Sequence, residues 1–462
     1  MDILISVPGR TDPIRSCHDG PILYITRHYR PQVSYLLLTA EIAKDELEYH
    51  YLEDAIHTVD PDCQVKTVET HIEKVFDYDS LARELPRMIY EIQESHPDGR
   101  FLVNISSGTP QICGVLCMLC LSDAKYSPIQ INTPENKANR AIQFFPGKDD
   151  LQDWFATNED HEYEAPVDEN RVKRPALNIF KLPMLRSQIL SLIENYDYAG
   201  AYEMFSMNRD VLPERVGILL DHGRKRLNLE YSDAQKLIQH ISDRQLRDEL
   251  CRKLLPGRQA TAGRLVEFFL SMQIKQKRKE LNDFVLRIEI LSEYLSIYIL
   301  ENCMNVKLEE ITTHNNRGVY RTSEERAEAK MPGIACFMNQ QFPVRGYEWG
   351  KEINARSMML FVTFLAQQET YQKYRSVAEE LARWVKVANE VRNRAAHTMD
   401  FITEEMIADS YSQDSQSRRG SGQLCGSIKA VMIQVFGAKN TDFTIYETIN
   451  ELCRQYFDNS SV

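Results

Sequence analysis

The feature that most constrains this chain is an alternation in its first 150 residues. Short apolar runs at 3–7, 33–39, 64–69, 101–105 and 128–132 are separated by stretches with helical spacing at 40–55, 78–95 and 110–122. This order of strand and helix implies a parallel sheet with helices on both faces. The run Tyr35-Leu36-Leu37-Leu38 is apolar without alternation, as a strand covered on both faces must be.

Such sheets bind ligands outside the carboxyl ends of their strands, where the winding direction reverses. In the common strand order that crevice lies between the first and fourth strands. The first strand ends in Val7-Pro8-Gly9-Arg10-Thr11-Asp12-Pro13 and the fourth in Ser106-Ser107-Gly108-Thr109-Pro110-Gln111. Both unusual loops therefore fall at the expected switch point. Pro110 suits the first turn of a helix, whose free N–H groups make an anion site. Gly, Ser, Thr and Pro are also ordinary turn residues, so it is the shared location that points to a pocket. Backbone N–H groups near Gly108, the hydroxyls of Ser107 and Thr109, and the charges of Arg10 and Arg15 suit a phosphate-bearing ligand. No dinucleotide fingerprint or Walker motif occurs, which argues against ordinary NAD or ATP binding.

After residue 150 the pattern changes. Residues 151–175 are acidic and irregular and read as a linker. Residues 176–270 read as a helical connecting region and 271–462 as a mainly helical domain, with clear helices at 281–300 and 377–396. Two stretches interrupt it: 312–349, and a Ser-, Gln- and Gly-rich loop at 410–426.

In the helix at 377–396 stands Arg392-Asn393-Arg394-Ala395-Ala396-His397, the only place where one of the eleven histidines has an arginine five residues upstream. Imidazole moves protons near neutral pH and guanidinium grips phosphate oxygens. Val377, Leu381, Trp384, Val385, Ala388, Val391 and Ala395 form an apolar stripe that should pack inside. Asn393 and His397, four apart, share a helix face, so the amide can orient the imidazole. Arg392 lies to the side. It must use its length, sit in a distorted helix end, or meet its partners across a dimer axis. The bland alternative is a solvated helix end. The chemistry that fits is metal-free RNA cleavage by the 2′-hydroxyl, with His397 transferring protons and Arg392 stabilising phosphate charge. The products are a 2′,3′-cyclic phosphate and a 5′-hydroxyl.

Other residues carry less. Cys113, Cys117 and Cys120 have cluster-like spacing but sit in an apolar helix, where cysteine behaves as a small hydrophobe. His28 can border the front pocket and His314 a rear cleft, or both can be surface. No group has convincing metal spacing. The net charge of -12 argues against a broad basic track for nucleic acid and for a local pocket. No run of 18 uncharged apolar residues and no signal peptide are seen, and the ten cysteines are scattered. A reducing cytoplasm, without a membrane, is the expected setting.

On the motifs Gly9-Arg10-Thr11-Asp12-Pro13-Ile14-Arg15, Ser106-Ser107-Gly108-Thr109-Pro110-Gln111 and Arg392-Asn393-Arg394-Ala395-Ala396-His397, the whole chain resembles the type III CRISPR-associated ribonucleases that join a CARF domain to a HEPN domain. The resemblance implies a Rossmann-like CARF sensor at 1–150 and a HEPN ribonuclease domain at 271–462. It implies a homodimer whose front domains bind a cyclic oligoadenylate, cyclic hexa-adenylate being the expected ring. Binding then activates metal-independent cleavage of single-stranded RNA. No other cofactor and no stable association with the CRISPR effector complex are implied. Catalysis maps to Arg392 and His397 with Asn393. Activator binding maps to the loop residues Gly9, Arg10, Thr11, Asp12 and Arg15, and to Ser106, Ser107, Gly108, Thr109 and Gln111. Thr109 is also the residue implied for slow cleavage of the ring. Arg10 departs from the small or polar residue frequent in relatives, which bears on ring size. A nucleotide-sensing regulator without catalysis and a stand-alone toxin-type ribonuclease are the competing readings.

Overall fold

The computed structural model describes every residue except 71, 134–142, 161–169, 240, 243, 253–259, 315–317, 399–400, 413–418 and 460–462; the side chains of 249, 251, 252, 260 and 394–398 also lie outside the description. Two compact units divide the chain, Met1–Pro183 and Met184–Val462.

The front unit opens with β1 (Asp2–Ser6), a hairpin of β2 (Ile14–Arg15) and β3 (His18–Asp19), α1 (Pro21–Tyr29) and β4 (Val33–Leu38). It continues through α2 (Ala40–Tyr49), α3 (Tyr51–Val59), β5 (Gln64–Glu69), α4 (Tyr78–Ser95), β6 (Arg100–Asn104), α5 (Pro110–Ser122) and β7 (Tyr126–Ile131), then α6 (Leu151–Ala156) and β8 (Val172–Lys173). The sheet order is β5-β4-β1-β6-β7-β8, parallel except for the β7–β8 pair. The chain winds one way from β1 through β4 to β5 and the other way from β6 on, so the winding reverses between β1 and β6. Alternate strand residues feed opposite cores, as the pleat requires. Ile3, Ile5, Tyr35, Leu37, Phe101 and Val103 pack under α4 and α5. On the other face, Leu36 and Leu38 join α1, α2 and α3, while Leu4 and Leu102 pack with Ile25 of α1 and with Ile129 and Ile131 of β7.

Three departures from the sequence expectation have local causes. The helix anticipated at 40–55 breaks at His50, which adopts φ 48. The buried Glu46 carboxylate accepts from the backbone N–H of Leu52 (2.9 Å) and Glu53 (3.0 Å), which starts α3 in a new direction. The segment read as a linker contributes α6, whose Phe155 is buried in the core, and β8, which pairs antiparallel with β7. In the stretch read as a loop at 410–426, helix runs through Tyr411 and restarts at Ser421; 413–418 lie outside the described residues.

The back unit is helical: α7 (Leu182–Glu194), α8 (Tyr198–Met207), α9 (Glu214–Leu227), α10 (Tyr231–Gln239), α11 (Arg244–Arg252), α12 (Ala260–Lys277) and α13 (Leu281–Cys303). After α14 (Leu308–Ile311), a hairpin of β9 (Thr312–His314) and β10 (Tyr320–Thr322), α15 (Glu324–Lys330) and α16 (Ile334–Gln340) fill the Asn- and Gly-rich stretch. Then come α17 (Ala355–Ala366), α18 (Arg375–Thr398), α19 (Glu404–Tyr411), α20 (Ser421–Phe436) and α21 (Ile445–Asn459). The long α13 packs against α12, α17 and α18. Two polar clamps join the first helices to the rest of the unit. Tyr198 donates to Asn450 (2.6 Å), which donates to the Ile193 carbonyl (2.9 Å). Arg226 on α9 forms a buried double contact with Glu267 on α12. Among the described residues no helix is long and apolar enough to cross a membrane.

Candidate functional site

At the carboxyl ends of β1 and β6 the two loops touch backbone to backbone. A Cβ on Gly9 would lie 2.6 Å from the Gly108 nitrogen and 2.9 Å from its Cα. Gly108 itself has φ +83, where a side chain is strained. The close approach requires glycine at 9 and the positive φ favours it at 108, which explains why the sequence carries one in each loop.

The loop after β1 is organised by Asp12, which is 3% exposed. Its carboxylate accepts from the backbone N–H of Gly9 (3.2 Å) and of Ile22 in the first turn of α1 (3.1 Å). The N-cap of α1 is Gly20, which has no side chain, so Asp12 supplies the cap from another loop. Burial lifts its pKa to about 6 against the lowering effect of these bonds and of the Ser107 hydroxyl. Asp12 thus faces inward and builds the loop. Arg10 points the other way and pairs with Glu41, both exposed. Thr11 and Arg15 line an open cavity of about 150 Å³.

The loop after β6 is held from within. Buried Asn104 donates to the hydroxyls of Ser6 (3.3 Å) and Ser107 (2.8 Å) and accepts from the Ser106 N–H (2.9 Å). Ser107 is fully buried, whereas Ser106 lines the cavity and accepts from the Ile131 N–H (2.8 Å). Thr109 is the N-cap of α5: its hydroxyl accepts from the Ile112 N–H (3.4 Å) and donates to the Val75 carbonyl (2.8 Å). Gln111 follows in the first turn, half-buried.

The cavity also has walls that sequence reading missed. His18, Asp19, Asn132 and Arg171 line it. Asp19 takes both Nε (2.8 Å) and Nη2 (3.3 Å) of Arg27 and the amide of Asn158 (2.7 Å). Arg171 donates to the Asp19 carbonyl (2.8 Å) and lies 4.1 Å over the Tyr24 ring. His18 stands between Glu159 (3.2 Å) and Asp160 (3.5 Å). Arg171 is 152 residues from Asp19; no local pattern could have paired them. His28, with its pKa lowered by burial and by Arg174, lies in the last turn of α1. Exposed His314 lies on β9.

Cys113, Cys117 and Cys120 lie on α5, half-buried. Burial raises all three thiols, Cys113 to about 11 and Cys120 to about 12. Among the described residues no group of His, Cys, Asp and Glu could hold a metal ion.

In the back unit, Val377, Leu381, Trp384, Val385, Ala388 and Val391 are buried along α18; the Ala395 side chain lies outside the described residues. The backbone is α-helical through Thr398. On an ideal helix, positions five apart lie about 140° apart around the axis. Asn393 is exposed; the His397 side chain lies outside the described residues. Arg392 donates from Nη1 to Glu289 Oε2 on α13, an ion pair between half-buried side chains.

Three family models match in tandem: the Cas_Csm6 CARF domain over residues 63–171, the CRISPR-associated protein Csm6 6H domain over 175–227 and the Cas_Csm6 HEPN domain over 254–453. The chain is 25% identical over 456 residues to the CRISPR system endoribonuclease Csm6 of Mycobacterium tuberculosis, covering 98% of each. It is 22% identical to the Enterococcus italicus enzyme of the same name, covering 98% of this chain and 100% of that one. The solved structure of Enterococcus italicus Csm6 bound to cyclic hexa-2′-fluoro-hexa-dAMP superposes with a TM-score of 0.74 at 18% identity, over 99% of this chain and 100% of that one, and so shares the fold.

Proposed function

The chain belongs to the Csm6 family, the CARF–HEPN endoribonucleases of type III CRISPR defence activated by cyclic oligoadenylate, and on that premise we propose how its own residues divide the work. The ring binds at the carboxyl edge of the front sheet. Thr11, Arg15 and Ser106 line the cavity there. The start of α5, at the same carboxyl edge, adds the positive end of a helix dipole that favours the ring's phosphates. Gly9 and Gly108 hold the two loops in register, with Asp12 and Ser107 as their buried supports. The proposed ring is cyclic hexa-adenylate, supported by the hexameric analogue bound to the Enterococcus italicus relative. Slow ring cleavage is assigned to Thr109. Its hydroxyl must first leave the Val75 carbonyl, which keeps that reaction slow.

RNA cutting is assigned to α18. The His397 imidazole takes the 2′-hydroxyl proton and the 2′-oxygen attacks the adjacent phosphorus. The bond to the 5′-oxygen breaks and a protonated imidazole returns a proton to it, a contribution of roughly 10²–10⁴-fold. Arg392 stabilises the phosphate charge and Asn393 orients the imidazole. No step needs a metal. What supports the assembly is the five-residue spacing: positions five apart on an ideal helix lie about 140° apart, and two copies related by a two-fold axis can bring the two groups to one phosphodiester. The exposure of Leu286, Ile290 and Tyr294, four residues apart on α13 (47%, 46% and 56%), supports a partner surface there. Foreign transcripts are the proposed substrate, met in the cytoplasm. The test is cleavage of single-stranded RNA in EDTA with and without cyclic tetra- or hexa-adenylate, for the protein and for His397→Ala. Activation that the variant abolishes is the expected result; dependence on magnesium refutes the mechanism. Thr109→Ala should lengthen the activated period, and unchanged decay of the signal removes Thr109 from ring cleavage.

A further inference from the structure

We infer that Glu289 is a positioning residue of the ribonuclease site, holding Arg392 by one nitrogen so that the rest of its guanidinium meets the phosphodiester. The inference rests on the assignment of Arg392 to the phosphate. An arginine side chain carries about 2 kcal/mol of rotamer entropy. Left free on a helix surface, it would have to surrender that freedom each time a phosphate bound. The contact with Glu289 removes it beforehand. It uses Nη1 and Oε2. A guanidinium has five N–H donors in one plane, so with Nη1 held, the Nε–Nη2 edge can still offer the parallel donors that phosphate takes.

The carboxylate is itself well placed to act as a fixed point. It sits on a 23-residue helix whose Val285, Ile288 and Ser292, on either side of Glu289, are buried. That helix packs along α18, so the relation of the two backbones is set by the core and not by the ion pair. Glu293, one turn further along α13, is a second acid on the same flank. Burial first, and the Glu289 charge second, raise its pKa. Protonation of Glu293 is thereby favoured while Glu289 serves as the counter-ion of Arg392. The benefit of Glu289 is geometric, because its charge also repels the incoming phosphate. Removing it should therefore depress turnover without weakening RNA binding, a split that loss of a merely structural contact does not produce.

The experiment measures kcat and KM on single-stranded RNA, at saturating levels of whichever of cyclic tetra- or hexa-adenylate activates. The proteins are the full chain, Glu289→Ala, Glu289→Asp and Arg392→Ala. A misplaced catalytic group costs up to about 100-fold. The expected result is a kcat roughly 10- to 100-fold lower in Glu289→Ala, with KM unchanged or lower and partial recovery in Glu289→Asp. Glu289→Gln, which keeps the shape, replaces alanine if the latter unfolds. A kcat in Glu289→Ala within twofold of the parent overturns the inference, and a higher one shows instead an inhibitory clamp. An inactive Arg392→Ala beside a fully active Glu289→Ala refutes the role of Glu289 alone. An active Arg392→Ala refutes the assignment beneath it as well.

Discussion

Substituting Gly9 by alanine tests whether the two loops must touch for the activator to bind. The new methyl would stand 2.6 Å from the backbone nitrogen of Gly108, where ordinary contact begins at 3.4 Å. The loops must then part by roughly 0.8 Å, the difference of those distances. The three atoms it meets on Gly108 are all main chain, so no side chain can swing aside. Overpacking of this kind costs about 1–3 kcal/mol. The activator-free protein relieves it by letting the loops drift apart; the bound state, which needs phosphate donors from both loops, brings it back. At 1.4 kcal/mol per decade, the affinity should fall by about 5- to 150-fold. The assay titrates the activating cyclic oligoadenylate by calorimetry and by RNA cleavage in parallel. Both curves should move to higher concentration by that factor while the cleavage plateau stays at the parental value. Gly422→Ala in α20 is the control: nothing lies within 4 Å of its new methyl. It should leave the curves unmoved and stabilise the helix by about 0.4–1 kcal/mol. A Gly9→Ala protein that binds the activator as tightly as the parent would refute the idea that loop contact positions the site.

Asp12 and His222 should give pH dependences of opposite sign. The folded pKa of Asp12, about 6, lies above its unfolded 3.8, so its contribution is full below 3.8 and is lost as pH rises towards 6. Asp12→Asn should remove roughly 3 kcal/mol of slope across that window in denaturant titrations, and an unchanged slope counts against a buried carboxyl. His222 is held neutral by burial and by the charge of Arg226, its pKa lowered from 6.5 to about 3. Its contribution is present above 6.5 and lost as pH falls towards 3. His222→Gln should flatten that acid limb, as followed by circular dichroism. Arg226→Met alone should cost about 3–5 kcal/mol by stranding Glu267, and Arg226→Met with Glu267→Leu should recover most of it. Equal losses in single and double variants would show that a stranded Glu267 is not the source of the cost.

The strands and most front-unit helices were legible because a buried strand or an amphipathic helix writes its environment into consecutive residues. The bounds of α4 and α5 coincide with 78–95 and 110–122. The switch point was legible because the sheet adopts the common doubly wound order and the loops at the crevice have unusual composition. The short elements were not. The helix at Pro21–Tyr29 spans 9 residues and takes its cap from Asp12, outside its own segment. The β8 strand is two residues long at a sheet edge and carries no alternation to read.

The amino-acid order alone determined which residue types were available at each locus: glycines in both loops, a carboxylate beside the first, and an arginine and a histidine five apart on a helix. Tertiary structure decided what they do. Asp12 turned inward to cap α1, Thr109 became tied to Val75, and Arg392 found Glu289 from 103 positions away. The physical reason is range. Side-chain periodicity reports the burial of a residue's own segment, whereas a hydrogen bond or an ion pair depends on where two segments stop against each other, and that is set by the packing of the whole core.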